Sequence, residues 1–391
     1  MSFSDDIITA FEGRETPFYY YDMNLLRETL DYALKEASQY GYHIHYALKA
    51  NSNPVILKEI SARGFGADCV SGGEIKRALE NGFSPDKIVY AGVGKTDAEI
   101  RTGLNNNIYA FNSESLAELR VIDALAAEAK KTAFVALRIN PDVDARTHRY
   151  ITTGLDENKF GISMTQIPDA IDLLSTLNHV KLTGLHFHIG SQITDMQSFR
   201  GLCLRINEIQ QWFIDRHVPV DHINVGGGLG INYESPDKVP VPDFASFFRL
   251  FYDHLELHPG QTLHFEPGRS LVGQCGSLIS RVLYVKSGIN KEFAILDAGM
   301  SELLRPALYQ AYHRIEHLTK KEVTTYKKYD VVGPVCESSD TFGKHVELPL
   351  TARGDLIAIR SAGAYGEVMA SAYNLRNYGV HFVTSDELQN P

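Results

Sequence analysis

Residues 43–82, HIHYALKANSNPVILKEISARGFGADCVSGGEIKRALENG, contain two successive patterns of a strand followed by a helix. His43–Lys49 is rich in apolar and aromatic residues, and Pro54–Arg63 then carries apolar residues at three- and four-residue spacing. Gly66–Val70 and Gly73–Asn81 repeat the same order. Short apolar runs indicate buried strands and the wider spacing indicates amphipathic helices, so this stretch predicts two consecutive βα units.

The same alternation continues as far as residue 269. Further strands are predicted at Lys87–Gly92, Ile108–Asn112, Ala133–Asn140, Lys181–Gly190, His222–Gly228 and Leu263–Arg269. Helices are predicted between them at Asp97–Asn105, Ser115–Lys130, Pro168–Leu177, Phe199–Arg216 and Phe244–Leu257. Eight strands alternating with helices over about 230 residues match a (β/α)8 TIM barrel in number and size. A doubly wound open sheet is the alternative, because a sequence does not show whether a sheet closes.

The helical alternation stops after residue 269. Strands separated by turns rich in Gly, Pro, Asn and Asp are predicted at Gly273–Ile289, Phe293–Leu296, Tyr329–Val332 and Asp355–Ile359. Thr16–Tyr21 is a predicted strand ahead of the barrel, and we expect it to pair with this later part of the chain. The sequence therefore predicts an α/β barrel over residues 22–270 and a mainly β domain formed by residues 1–21 and 271–391.

The composition argues against several classes of protein. The 391 residues carry a net charge of -10, whereas nucleic-acid binding needs clustered Lys and Arg. The four cysteines form no C-x-x-C pair, the first residues do not resemble a signal peptide, and no apolar run approaches the ~20 residues that span a membrane. We expect a cytoplasmic protein with reduced thiols, with no metal site and with no nucleic-acid or membrane partner.

Polar residues recur where the predicted strands end, which is where barrel enzymes carry their catalytic groups. Lys49 ends the first strand, and desolvation in the mouth of a barrel favours its neutral amine, which can attack an aldehyde to form a Schiff base. Taken alone, this strand is better explained by a lysine that extends its ammonium into solvent. The later strand ends shift the balance towards a catalytic amine.

The sixth to eighth predicted strands end in residues suited to a planar, phosphorylated cofactor. His186 and His188 share one face of a strand, so an imidazole can stack on a flat ring; a metal site or packing in the core are the alternatives. Gly226–Gly228 lets backbone amides approach a phosphate, or forms only a flexible turn. Glu266 can keep a pyridine nitrogen protonated and Arg269 can bind a phosphate or a carboxylate, unless the two form an ion pair with each other.

Together, these segments resemble those of the fold-type-III pyridoxal-phosphate-dependent decarboxylases. In chain order they are Tyr46-Ala-Leu-Lys-Ala-Asn51, His186-Phe-His-Ile-Gly-Ser191, Gly226–Gly228 and Glu266-Pro-Gly-Arg269. Three others are similar to the diaminopimelate-specific branch of that family: Asp68-Cys-Val-Ser-Gly-Gly-Glu74, Gly333-Pro-Val-Cys-Glu-Ser-Ser-Asp340 and Ala362-Gly-Ala-Tyr-Gly366. The resemblance implies an alanine-racemase-like barrel, pyridoxal 5'-phosphate as cofactor, and decarboxylation of meso-2,6-diaminopimelate to L-lysine as the last step of lysine biosynthesis.

The resemblance also implies a role for each matching residue. Lys49 would hold the cofactor as an imine, His188 would stack on its ring and Glu266 would bond its ring nitrogen. Arg138 is expected near the ring hydroxyl. The phosphate would be held by Ser191, Gly227, Gly228 and backbone amides near Gly268, with Tyr365 beside it. Arg269 would bind the phosphate, the substrate carboxylate or both.

Substrate binding and a homodimer with shared active sites follow from the same resemblance. The distal carboxylate of the substrate would be bound by Arg269, Arg305 and Tyr309, and its distal ammonium by Glu337. Tyr365 would be a further substrate contact. Cys336 would reach from a partner subunit into the active site and serve in protonating the carbanion. Lys159 would form an ion pair with Asp340 of the partner subunit.

Three other functions are alternatives. An arginine- or ornithine-type decarboxylase is the nearest, although Arg305 would then be an unhelpful cation facing the amine of the substrate. Alanine racemases share the predicted architecture but carry an arginine at the position of Glu266. A non-catalytic pyridoxal-phosphate carrier lacks a long β domain such as residues 270–391. Glu367 departs from the small or apolar residue that related sequences often carry there.

Overall fold

The computed structural model describes residues 3–142, 159–318, 324–376 and 381–389. The chain divides into two compact units. Residues 30–230 and 243–268 form the barrel unit, and residues 1–29, 231–242 and 269–391 form the β unit. The predicted domain boundaries differ from this division chiefly at residues 231–242, which the sequence pattern assigned to the barrel.

The barrel unit contains a closed sheet of parallel strands. In chain order the strands are His43–Ala47, Gly66–Cys69, Ile88–Tyr90, Ala110–Ser113, Ala133–Arg138, Val180–His186, His222–Asn224 and Thr262–Phe265. His43 and Ile44 of the first strand pair with His264 and Phe265 of the last, which closes the sheet. Most strand residues are buried on both faces, as expected of a parallel sheet covered by helices. The predicted TIM barrel is confirmed, and the open sheet is excluded.

Helices follow the strands in regular alternation. Those between the first and last barrel strands are Pro54–Ala62, Gly72–Glu80, Asp97–Asn106, Leu116–Ala129, Ile167–Leu174, Met196–Ile214 and Phe244–His254. Their starts are set by local sequence: Asn53 and Ser71 accept hydrogen bonds from first-turn amides, and Thr96 and Glu99 form a capping box. None of the helices in the described ranges combines the length and the apolar composition that spanning a bilayer requires.

Two N-terminal helices, Asp5–Glu12 and Met23–Ser38, have no counterpart in the sequence prediction. In the longer helix, Leu26, Leu30, Ala33 and Ala37 are buried and stand three or four residues apart. The helical signal was therefore present in the sequence.

The β unit is organised around one mixed sheet. The central order of strands is Ile315–His317, Leu356–Ile359, Gly276–Ser287, Glu292–Leu296, Tyr326–Val332 and Thr341–Pro349. The N-terminal strand Phe18–Tyr21 pairs antiparallel with the start of Gly276–Ser287 and parallel with Phe382–Thr384. The expected pairing of the N-terminal strand with the later part of the chain is thus confirmed. The short helices Arg269–Val272, Arg305–Tyr309 and Ser385–Gln389 complete this unit.

Candidate active site

Five of the predicted site residues of the barrel unit follow the C-terminal ends of its strands. Lys49 comes after the first strand, His188 and Ser191 after the sixth, Gly227 after the seventh and Glu266 after the eighth. Because parallel strands of a closed barrel end at the same rim, the fold gathers these residues at one end of the barrel.

Lys49 lies in a single 3-10 turn, Leu48–Ala50, directly after the first strand. Its Nζ donates a hydrogen bond to Oδ2 of Asp68 at 2.5 Å, and the two side chains are 37% and 1% exposed. Burial raises the pKa of the Asp68 carboxyl and the charge of Glu266 raises it further, while Lys49 opposes both effects. The buried carboxylate therefore fixes the amine of Lys49 at the rim.

Glu266 is the buried centre of a hydrogen-bond network. Its Oε2 accepts from Nε2 of His186 at 2.9 Å, and its Oε1 accepts from the side-chain amides of Asn224 at 2.7 Å and Asn112 at 3.3 Å. Burial alone would raise the pKa of Glu266, but His186 and Lys49 outweigh it, so the pKa lies below the ordinary value. Glu266 is an ionised carboxylate in the interior of the barrel.

His186 and His188 occupy different environments. His186 is held by Glu266, whereas Nδ1 of His188 accepts a long hydrogen bond of 3.4 Å from the amide of Gly227. Burial lowers the pKa of His188 far below its ordinary value, and the charges of Arg138 and Lys49 lower it further. His188 is therefore neutral near pH 7. Within the described ranges no group of three or more His, Cys, Asp or Glu side chains could hold a metal ion.

The glycines after the seventh strand make room for close backbone packing. Gly226 and Gly228 have φ angles of +69° and +107°, which residues with a side chain rarely adopt. A Cβ on Gly227 would lie 2.2 Å from the carbonyl oxygen of Glu266. Gly268 is similarly crowded, since its Cβ would lie 3.0 Å from the Cβ of Ala50. These positions form a compact backbone cradle beside Lys49 and Glu266.

Arg138, at the end of the fifth strand, is fixed by a buried carboxylate. Its Nη1 donates to Oε1 of Glu114 at 2.8 Å, and its guanidinium lies 4.6 Å from the centre of the Phe160 ring. The second oxygen of Glu114 accepts from the amide of Gly161 at 2.8 Å. Arg138 is thus a fixed cation in the barrel unit.

The β unit brings together two predicted substrate-binding residues, Arg269 and Arg305, each 6% exposed. Nη1 of Arg269 donates to the hydroxyl of Tyr233 at 2.5 Å, and Nη1 of Arg305 donates to the same oxygen at 2.7 Å. Burial alone would raise the pKa of Tyr233, but the two guanidiniums outweigh it and the pKa lies below the ordinary value. Tyr233 was not among the predicted site residues.

Tyr365 also lies against this pair of arginines. The guanidinium of Arg269 lies 4.8 Å from the centre of its ring, and Tyr365 has a φ of +57°, a costly conformation for an aromatic residue. Tyr309 ends the helix Arg305–Tyr309 and is partly buried. The unusual Glu367 accepts a hydrogen bond from the hydroxyl of Tyr21 at 2.6 Å, which accounts for a carboxylate at that position.

Cys336 and Glu337 lie in an exposed loop, residues 336–339, of the β unit. The loop is fixed at its base by Asp340, whose buried carboxylate accepts from the amides of Met300 and Val335 at 2.7 Å each. Asn374 adds a contact, since its Oδ1 accepts from the amide of Cys336 at 2.8 Å. Asp340 thus has a structural role within its own chain.

The expected ion pair joins Lys159 to Asp340 of the partner subunit. Lys159 is exposed, and its Nζ lies 5.3 Å from the centre of the Phe160 ring. Both oxygens of the Asp340 carboxylate are already bonded to amides, although a carboxylate can accept further hydrogen bonds. The pairing stays a prediction.

The barrel rim fits a planar, cationic ring with a phosphate. Glu266 uses about three of the four acceptor positions of a carboxylate, which leaves one for a protonated ring nitrogen. Oδ1 of Asp68 and Oδ1 of Asn112 are buried and accept no hydrogen bond from any described residue, so further polar groups can be accommodated there. Sequence reasoning missed Asn112 and Asn224, whose only signal was their position at the ends of the fourth and seventh strands.

Three comparisons with known proteins agree with this arrangement. Residues 26–273 match the family described as pyridoxal-dependent decarboxylase, pyridoxal binding domain. The chain is 58% identical over 382 residues to the diaminopimelate decarboxylase of Bacteroides thetaiotaomicron, covering 97% of this chain and 98% of that one. It is 43% identical over 368 residues to the enzyme of the same name from Helicobacter pylori strain J99, covering 94% and 89%. The crystal structure of diaminopimelate decarboxylase from Helicobacter pylori complexed with L-lysine matches with a TM-score of 0.91 at 40% identity, covering 97% of this chain and 94% of that one.

Proposed function

This chain belongs to the pyridoxal-dependent decarboxylases, and within them to the diaminopimelate decarboxylases, and on that premise we propose that it converts meso-2,6-diaminopimelate to L-lysine and carbon dioxide. The structural observation that carries the proposal is the ionised Glu266, fixed by His186 and Asn224 at the rim where Lys49 lies. An anion at that position favours a protonated pyridine nitrogen, which a carbanion-forming reaction requires.

Pyridoxal phosphate, when bound, supplies the electron sink that accepts the electron pair left as carbon dioxide departs. Lys49 supplies the amine that attaches the cofactor, and Asp68 keeps that amine at the rim. Glu266 would keep the ring nitrogen protonated through its remaining acceptor position. His188, neutral near pH 7, would contact the ring without adding a competing positive charge.

The phosphate is assigned to backbone amides of the glycine-containing turns after the seventh and eighth strands. Gly227 and Gly228 follow the seventh strand and Gly268 follows the eighth, which is where barrels commonly bind phosphate. Ser191, Arg269 and Tyr365 complete this proposed set. Arg138 is assigned to the ring hydroxyl, where a fixed cation favours the ionised oxygen.

The distal half of the substrate is assigned to the β unit. Arg269 and Arg305, with Tyr309 and Tyr365, bind the distal carboxylate, because buried guanidiniums need an anionic partner. Glu337 binds the distal ammonium. The same buried arginines disfavour an ornithine-type substrate, whose distal end carries an amine and no carboxylate.

We further propose a homodimer in which Cys336 of the partner subunit would donate a proton to the substrate carbon that has lost carbon dioxide. The exposure of residues 336–339, on a loop fixed by Asp340, supports a segment that acts on a second copy of the chain. The ion pair of Lys159 with Asp340 of the partner subunit belongs to this proposal. We also assign the enzyme to the cytoplasm, where four unpaired cysteines remain reduced.

The direct test is carbon dioxide release by the purified protein with added pyridoxal phosphate. We expect release from meso-diaminopimelate and none above background from L-ornithine or L-arginine. Lys49→Arg retains a cation beside Asp68 but cannot attach the cofactor, so it should lose both turnover and the yellow colour. Lys35→Arg, the same change at an exposed lysine, is the matched control and should keep both. Turnover of L-ornithine in preference to diaminopimelate contradicts the proposal.

A further inference from the structure

Tyr233 joins the two arginines that we assign to the substrate's distal carboxylate. Its hydroxyl oxygen accepts a hydrogen bond from Nη1 of Arg269 and another from Nη1 of Arg305. The tyrosine is 9% exposed, and both arginines are less exposed still. Two cations that would otherwise repel each other are therefore held side by side on one buried phenol oxygen.

A second acceptor completes the restraint on Arg305. Its Nη1 also donates to Nε2 of His313 at 3.1 Å, while Nδ1 of His313 bonds the carbonyl oxygen of Arg360 at 2.9 Å. Because a carbonyl only accepts, Nδ1 carries the imidazole proton and Nε2 is free to accept from Arg305. Burial lowers the pKa of His313 to about 3, so this arrangement is maintained at neutral pH.

The restraint leaves one edge of Arg305 for a ligand. Tyr233 and His313 use both hydrogens of Nη1. Nε and Nη2 make no hydrogen bond with any described residue, and these two atoms form the edge that binds a carboxylate with two parallel hydrogen bonds. The side chain is thus fixed through the nitrogen that the carboxylate does not need.

We propose that Tyr233 is a positioning residue for substrate selection, which holds Arg269 and Arg305 so that they bind the carboxylate retained in the product. The inference rests on the proposed function for the identity of that carboxylate. It adds a residue that does not itself touch the substrate but controls two that do. Ligands with the retained carboxylate should depend on the Tyr233 hydroxyl, and ligands without it should not.

L-lysine and cadaverine (1,5-diaminopentane) provide the test, because they share a carbon chain and both amines and differ only in that carboxylate. Dissociation constants are measured by equilibrium titration of the cofactor-loaded protein, wild type and Tyr233→Phe. We expect Tyr233→Phe to weaken L-lysine binding about tenfold or more, the scale of one lost charge-assisted hydrogen bond, and to leave cadaverine binding within about twofold. In turnover, the KM for diaminopimelate should rise by a similar factor, with a smaller change in kcat.

His313 provides an independent pair of variants should Tyr233→Phe fail to fold. His313→Leu removes the second acceptor for Arg305 and should weaken the binding of L-lysine but not that of cadaverine. His313→Gln retains an acceptor and a donor, so its affinity for L-lysine should stay close to that of the wild type. Equal weakening of both ligands, or no weakening of L-lysine, overturns the proposal. Because these titrations need no turnover, they are separate from the proposed function, which fails if the wild-type protein releases no carbon dioxide from diaminopimelate.

Discussion

At the scale of single residues, charge and hydrogen bonding at Glu266 determine what the barrel rim can do. A carboxylate buried among His186, Asn112 and Asn224 stays ionised because three donors and the nearby Lys49 compensate for its lost hydration. Aspartate at this position would shorten the side chain, and glutamine would remove its charge. The rest of the network only positions this one anion.

Glu266→Gln keeps the size of the side chain and removes its charge. We expect kcat for diaminopimelate to fall about a hundredfold or more, as when a preorganised electrostatic contact is removed, with little change in KM. Steady-state kinetics measure this. Asp330→Asn is the matched control, because Asp330 is a buried carboxylate that pairs with Lys291 and has no proposed role. Near-normal kcat in Glu266→Gln would show that the ring nitrogen does not depend on this charge.

Site residues could be predicted from the sequence where they lie at the end of a barrel strand, but not where they lie in a connecting segment. Lys49 and Glu266 end predicted barrel strands, so their shared location followed from the topology alone. Tyr233 lies in the segment 231–242, between the seventh strand and its helix, and no periodicity indicates that this segment belongs with the β unit. Its contact with Arg305, 72 residues away, is set by tertiary structure.

At the scale of elements, the turn after the seventh strand depends on its lack of side chains. Gly227→Ala would place a Cβ 2.2 Å from a backbone oxygen, which cannot be relieved by moving a flexible side chain. We expect affinity for pyridoxal phosphate to fall about tenfold or more, because relieving the overlap displaces the backbone amides proposed to bind the phosphate, and one lost hydrogen bond to a charged group costs about 1.5–3 kcal/mol. Gly73→Ala is the control, because its Cβ would meet nothing closer than 3.6 Å. Titration of both variants with pyridoxal phosphate measures these affinities, and unchanged affinity in Gly227→Ala contradicts the proposed phosphate cradle.

The elements themselves were largely predictable, with informative exceptions. The barrel strands were found because parallel strands buried on both faces are continuous apolar runs. Thr341–Pro349 was missed because exposed polar residues interrupt its apolar positions, and Ile315–His317 was missed because it is only three residues long and carries two polar side chains. Such strands are stabilised by pairing with neighbouring strands, which local sequence does not reveal.

At the scale of the whole barrel, three buried histidines make stability sensitive to acid. His45 bonds His264 at 2.8 Å, and the rings of His222 and His264 have centroids 5.0 Å apart. Burial lowers the pKa of His45 to about 4 and that of His222 to about 3, and it lowers the pKa of His264 as well. Below pH 6.5 the unfolded chain takes up protons that the folded barrel refuses, so stability present above that pH is lost as the pH falls towards 4.

The loss should amount to at most about 1.4 kcal/mol per pH unit for each histidine that stays neutral. Urea unfolding at a series of pH values between 7 and 5 measures it. Replacing His45 with glutamine removes one titrating group, so the free energy of unfolding should fall less steeply with pH, whatever its value at pH 7. His217→Asn, at an exposed histidine with a left-handed backbone, should leave the slope unchanged. Equal slopes in all three proteins rule out this origin.

The proposed dimer makes a prediction that no single chain can satisfy. If Cys336 acts in the partner's active site, Lys49→Ala disables the site in its own barrel, whereas Cys336→Ala disables the site in the barrel of its partner. A hybrid of the two variants then has one site with both defects and one site with neither. Random exchange of subunits makes half of the dimers hybrids, so the mixture should recover about a quarter of wild-type activity from two nearly inactive preparations.

Steady-state kinetics after mixed refolding or co-expression measure this recovery. The control is a mixture of Lys49→Ala with Glu266→Gln, which should recover nothing because both defects are assigned to the barrel of the chain that carries them. Failure of the first mixture to exceed the second means that each chain uses its own cysteine or none.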